Sequence, residues 1–225
     1  MKTKNGNENL KAGVISMAII LLACAATFTA CSLVCCKPAN ADVSGSATLQ
    51  FTNPNTKNSI QAMISFNYKS DQIPRIGVFS FATIKNGWAE VYAGPTFWVV
   101  PKHLRLGIHA GFSQAADGPL ARMAFTTLAL YNDFGFAGTV EWNIVSLSRM
   151  ESKTWYVMRL WHKPASWFRY GLYDKRSFGF GPFLGFIAPL GENVKWMFDF
   201  HWGLMPAEEA KFTPDNLLFS TSFCF

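Results

Sequence analysis

The sequence predicts an all-β chain, a transmembrane antiparallel up-and-down β-barrel of twelve strands. Three observations carry that prediction. Beyond residue 42, segments of about ten residues alternate apolar and polar side chains, with Gly, Pro, Asn and Asp between them. Aromatic residues make up 16% of the chain and charged residues only 15%, well below the quarter or so usual in soluble domains. The apolar residues are nonetheless not gathered into long runs after residue 42, so helical membrane spans are not indicated there. At 225 residues the prior is one domain.

The first forty-one residues differ from the rest. Met1 to Lys11 carries Lys2, Lys4 and Lys11, Ala12 to Cys36 is uncharged, and Lys37-Pro38-Ala39-Asn40-Ala41 ends in a small-residue pattern. A basic start, an apolar middle and such a site form the signature of a secretory signal peptide. Pro38 lacks the N–H that a continuing helix needs. Cleavage is expected after Ala41, giving a signal peptide at 1–41 and a barrel domain at 42–225. Two other readings compete: Leu21-Leu22-Ala23-Cys24 as a lipoprotein box acylated at Cys24, and the apolar run as an uncleaved anchor. Cys24, Cys31, Cys35 and Cys36 all fall in this segment, and only Cys224 follows it, so no disulfide framework is expected in the barrel. The segment holds four Lys and one Glu. Of 20 bases and 14 acids in the chain, 16 and 13 therefore remain, a net charge of +3. Neither a basic stripe nor a nucleic-acid motif is present.

Alternation is clearest at Val194 to Trp202. There Val194, Trp196, Phe198, Phe200 and Trp202 oppose Lys195, Met197, Asp199 and His201. Phe136, Gly138, Val140, Trp142 and Ile144 likewise oppose Ala137, Thr139, Glu141 and Asn143. Ile60, Ala62, Ile64, Phe66 and Tyr68 oppose Gln61, Ser65, Asn67 and Lys69. A soluble barrel would turn the apolar row inward, where small barrels have room only for side chains or one small ligand. These rows are too bulky for that and suit lipid around a polar lumen. Trp88, Trp98, Tyr131, Trp161, Trp167, Tyr173 and Trp202 lie near segment ends, where aromatic girdles are expected.

Punctuation places strands near 44–52, 59–69, 75–84, 88–99, 103–113, 120–131, 135–146, 153–162, 167–173, 178–188, 194–204 and 216–225. Without the first and the 167–173 segments the count is ten. An even number brings both chain ends to one side, the periplasmic one. Short turns are expected there at 70–74, 101–102, 132–133, 163–166 and 189–193, and only the outer loop at 205–215 exceeds about six residues. Pro95 and Pro182 inside strands are expected to mark bulges.

The chain closes on Asn216-Leu-Leu-Phe-Ser-Thr-Ser-Phe-Cys-Phe225, with Leu217, Phe219, Thr221, Phe223 and Phe225 on one face. This segment resembles the closing strand of bacterial outer-membrane β-barrel proteins, which ends in Phe after alternating apolar or aromatic residues. Phe225 and Phe223 match the terminal aromatics, Phe219 and Leu217 the earlier apolar positions, and Thr221 is a weaker match. The resemblance implies outer-membrane localisation, contact with outer-membrane lipid, and recognition of Leu217, Phe219, Phe223 and Phe225 by the barrel assembly machinery.

Facing assignments turn Glu90, Arg105, His109, Arg122, Glu141, Arg159, Arg169, Lys195, Asp199 and His201 into the lumen. Asp199 and His201, two apart in a strand, share a face, so a carboxylate could orient an imidazole as a general base. Ser220 and Ser222 share the inward side of the last strand, but no motif marks either as a nucleophile. Nor is there a G-x-S-x-G, a phosphate loop or a metal-ligand cluster, and no cofactor or metal is expected. The simpler reading is a lumen network in which acids and bases neutralise one another. Phe178-Gly-Phe-Gly-Pro182 reads as a curved barrel wall.

Three functions compete on this sequence. A narrow channel for small polar solutes leads. A structural or interaction barrel with a side-chain-plugged lumen, or a subunit of an outer-membrane complex, comes next. A lipid-modifying enzyme comes third.

Overall fold

Twelve antiparallel strands close on themselves in chain order, the last hydrogen-bonding to the first. The computed structural model describes residues 41–52, 60–70, 73, 75–85, 88–115, 118–146, 154–176, 178–204 and 216–225. The proposed leader with Cys24, and most of the outer loops including 205–215, lie outside the described residues. The strands are β1 (Ala41–Thr52), β2 (Ile60–Ser70), β3 (Ile76–Lys85), β4 (Trp88–Val100), β5 (Leu104–Ala115) and β6 (Gly118–Tyr131). They continue as β7 (Phe134–Ser146), β8 (Trp155–Ala165), β9 (Phe168–Lys175), β10 (Gly179–Pro189), β11 (Lys195–Gly203) and β12 (Asn216–Cys224).

Closure follows from backbone chemistry. An open sheet edge leaves a row of unpaired N–H and C=O groups, and pairing every strand on both sides removes it. The seam runs from Ser46 opposite Cys224 to Thr52 opposite Leu218. Beyond it Gly45 and Phe225 exchange both backbone bonds, at 2.8 and 3.1 Å. Both termini of the described barrel therefore lie at one end.

Directly opposed residues in antiparallel strands share a face, so register carries one face assignment around the wall. The outward rows hold the apolar side chains, among them Ile108, Phe112, Leu160, Leu184, Phe200 and Leu217. These are about half exposed in the isolated chain, as a lipid-facing surface would be. On this face the C-terminal residues are tiled by aromatics: Phe219 stacks on Phe51, Phe223 on Trp196, and Phe225 packs edge-on to Phe66. Thr221, the weaker match in the C-terminal pattern, accepts a 2.7 Å hydrogen bond from the Trp196 indole. That satisfies an indole donor on the outward, apolar face.

At the end holding the termini the turns are tight. Asn132 and Asp133 join β6 to β7, and Asn132 takes a left-handed φ of 50°, which Asn tolerates better than most residues. Lys102, in the three-residue turn from β4 to β5, has φ 64°.

Two local expectations need correction. Lys163 to Ala165 belong to β8 and not to a turn, and the connection is only Ser166-Trp167. The register shift between His162 and Ala165 explains why Pro164 is tolerated in the strand, because a bulged position needs no ladder N–H. The other irregularities fall between Trp98 and Val100 and between Ala121 and Arg122. Neither is at Pro95 or Pro182. Pro182 stays in register opposite Leu172, at a point where pairing of β10 with β11 begins only at Phe183.

Candidate functional site: the lumen

Register places all ten sequence-selected polar residues on the inward face, and all but Lys195 are buried or half-buried, but they do not form one network. Glu90 on β4 pairs in register with Ser113 on β5, Arg122 on β6 with Gly111, and Glu141 on β7 with Ala124. From these strands a first cluster assembles. The Arg122 guanidinium donates to Glu90 Oε1 at 2.6 Å and lies 3.2 Å from Glu141 Oε2. The Tyr92 hydroxyl sits between the two carboxylates, against Glu90 Oε1 and 3.0 Å from Glu141 Oε2. Glu90 is 3% exposed and Glu141 4%, so these two negative charges are met by the Arg122 guanidinium and the Tyr92 hydroxyl and not by water.

A second cluster occupies the other wall. Arg159 on β8 donates to Asp199 Oδ2 at 3.0 Å. Arg169 on β9 reaches both oxygens of the same carboxylate, at 2.9 and 2.8 Å. Gly185 on β10 stands opposite both Arg169 and Asp199, and a Cβ there would lie 2.8 Å from the Arg169 side chain and against Asp199. Glycine is what leaves room for this pair. The Arg159 guanidinium also lies over the rings of Tyr173 and Phe183, at 5.5 and 5.1 Å. His201 is 1% exposed, with its ring 4.2 Å from that of Tyr173. Its Nε2 lies 3.4 Å from Arg159 Nη2, which can only donate.

The remaining selected residues stand apart. Arg105 reaches across β3 and β4 to donate to Asn67 on β2 at 2.8 Å and lies 5.7 Å from the Trp98 ring. His109 Nε2 is 2.8 Å from the Thr126 hydroxyl, and its ring packs edge-on to Phe79. Lys195 sits exposed at the start of β11, opposite Cys224.

The geometry bears directly on the catalytic arrangement considered from sequence. Asp199 is committed to two arginines, and among the described residues no hydroxyl bonds to His201, whose Nδ1 has no partner. Ser222 accepts from Thr48 at 2.8 Å. Among the described residues no group of three or more His, Cys, Asp or Glu could hold a metal ion.

Four of the seven residues assigned to the girdle face the lumen instead. Trp88 is opposed by Lys85, Trp98 by Arg105, Trp161 by Gly171 and Tyr173 by Arg159. Tyr131, Trp167 and Trp202 are exposed on the outside. The physical reason is that β4, β8 and β9 carry large side chains on both faces, so alternation there does not distinguish lipid from lumen. Tyr173 and Phe183 join Phe178 and Leu218 in a buried apolar cluster, with Val157 and Trp161 packed against it.

Sequence reasoning also missed Tyr92 and Lys175. Lys175 lies at the end of β9, where the expected strand stopped two residues short. With Gln50, Gln61, Thr83, Trp88, Glu90, Glu141 and Trp155 it borders a cavity of about 140 Å³ in the half of the lumen away from the chain termini.

No protein-family model matches this sequence, and no curated protein does. Among solved structures, a KdgM porin matches with a TM-score of 0.50 at 7% identity, covering 80% of this chain and 98% of that one. A NanC porin covers 80% of this chain and 97% of its own at 7% identity, with a TM-score of 0.49. Outer membrane phospholipase A from Escherichia coli covers 81% and 89% at 10% identity, with a TM-score of 0.47. The chain has the fold of outer-membrane β-barrel proteins.

Proposed function

We propose that this chain is an outer-membrane β-barrel whose lumen is a narrow channel for small polar solutes. The observation that carries the reading is the lining itself. Charged and hydrogen-bonding side chains from β1 to β9 border a cavity of about 140 Å³ inside a closed barrel. Twelve strands lie between filled eight-stranded barrels and wide sixteen-stranded porins, a size that leaves room for a constricted path. The likeness of the fold to a porin supports the reading at 7% identity without settling a solute. The same reading includes export through the signal at 1–41, contact with outer-membrane lipid, and assembly guided by Leu217, Phe219, Phe223 and Phe225.

Planar-bilayer recording of the inserted barrel tests this. Steady conductance steps are expected, and Arg105→Gln should shift selectivity away from anions. A barrel that is inserted but silent overturns the channel.

A second reading has its own observation. Tyr173, Phe178, Phe183 and Leu218 fill the opposite side of the lumen, and Phe183 and Leu218 are each 1% exposed. On that reading the barrel is plugged and serves as a structural or interaction partner. Phe183→Ala separates the two: it should raise conductance if the cluster narrows a path, and leave a silent barrel silent if further side chains seal it.

A further inference from the structure

We propose that Lys175 is the recognition residue of a binding site in the lumen cavity, and that the site takes a small monocarboxylate with a single-ring or comparably compact apolar body. The inference deepens the channel reading by naming its solute class, and the site can be tested without any conductance.

Lys175 is 7% exposed and borders the cavity. A buried ammonium is normally matched by a carboxylate, because the desolvation of an unpaired charge is expensive. Among the described residues no carboxylate lies within ion-pair distance of this one. Its contacts are neutral: Gln50 Oε1 at 3.2 Å, Gln61 Oε1 at 3.4 Å and the face of Trp155 at 5.9 Å. The Gln61 amide is oriented for this purpose, since its Nε2 donates to Thr83 Oγ1 at 2.9 Å and Thr83 in turn donates to the Ala62 carbonyl. An ammonium has three donors and two are used. One donor remains beside an open space, and the positive charge is attracted only at longer range, by Glu141 across the cavity.

The rest of the wall narrows the ligand class. Phe79, Phe81, Trp88, Trp155, Met63 and Val157 supply an apolar lining. Apolar protein cavities of about 150 Å³ are large enough to bind benzene, so about 140 Å³ suits a body of that size. Drug-sized ligands need roughly 300 Å³ or more. Glu90 and Glu141 border the same cavity. They oppose a second negative charge on the ligand, which favours a monoanion over a phosphate or a dicarboxylate. The apolar wall disfavours a fully hydrated inorganic ion.

Calorimetric titration of the barrel, purified from membranes in detergent and referenced to micelles alone, tests the site with benzoate as the probe. Benzyl alcohol, benzylamine and phthalate are the comparison ligands. Saturable one-site binding of benzoate is expected, at least tenfold tighter than any of the other three. Lys175→Gln should weaken benzoate at least tenfold, and Lys175→Arg should retain most of the affinity. Arg75→Gln, which removes a charge at the turn end of the barrel, should leave it unchanged. Equal affinity for benzoate and benzyl alcohol on the unaltered chain overturns the proposal whether or not any variant folds, and so does unchanged affinity in a folded Lys175→Gln. Benzoate binding to a barrel that does not conduct keeps the site and ends the channel. Conductance without benzoate binding does the reverse.

Discussion

The two walls of the lumen solve the same electrostatic problem with opposite stoichiometry. Between β4 and β7 one guanidinium and one tyrosine hydroxyl together serve two carboxylates. Between β8 and β11 two guanidinia share one carboxylate. The first cluster is formally one negative charge in excess and the second one positive. The first wall has small neighbours such as Ala124, Gly111 and Ser113, and it borders open space. The second is packed under Tyr173, Phe183 and His201. A buried charge cluster is therefore no sign by itself of an open or a filled lumen; how closely the neighbouring side chains pack over it decides which it becomes.

The comparison is most exposed to Asp199→Asn. Asp199 is the carboxylate held by both arginines, and its loss leaves two buried guanidinia facing each other. Breaking a buried pair of this kind costs about 3–5 kcal/mol. Urea unfolding in lipid vesicles, followed by the mobility difference between folded and unfolded chain on gels, should register it as the largest loss of the set. Tyr92→Phe removes the hydroxyl between Glu90 and Glu141, a hydrogen bond to charge worth about 1.5–3 kcal/mol in the same assay. Gly185→Ala places a methyl against Arg169 and Asp199 and should cost about 1–3 kcal/mol by overpacking. Its effect should fall short of additive with Asp199→Asn, since the two sites are in contact. The smallest loss is expected for Glu141→Gln, about 1 kcal/mol, because the Arg122–Glu90 pair remains. If Glu141→Gln destabilises as much as Asp199→Asn, the asymmetry between the walls is not what holds the lumen charges.

The unequal legibility of the two walls has the same origin. Asp199 and His201 stand out in the sequence because their strand alternates cleanly between aromatic and polar residues. Arg105 and Glu141 do so for the same reason. Each strand boundary found in the structure lies within three residues of its expected place, since Gly, Pro and Asn-Asp punctuation is local chemistry. The lumen positions of Trp88, Trp98, Trp161 and Tyr173 are not legible, because a large ring in a strand with bulky residues on both sides fits lipid and lumen equally well. Tyr92 is hidden for a related reason: its strand mixes Val91, Ala93, Gly94 and Pro95, and no period singles it out.

By itself the sequence determined the class of structure: where the strand segments fall, a count of twelve or ten, and which side of each well-alternating strand is polar. Those properties depend on residues two apart, a spacing that the chain carries with it into any fold. Only the tertiary structure decided which inward residues meet. Arg105 meets Asn67 across two intervening strands, Lys175 meets Gln50 and Gln61 at separations of 125 and 114 residues, and Arg122 meets Glu90 and not Asp199. Those pairings follow from the register of twelve strands and the closure of β1 on β12. A shift of one residue in any ladder would turn a whole strand's lumen side outward.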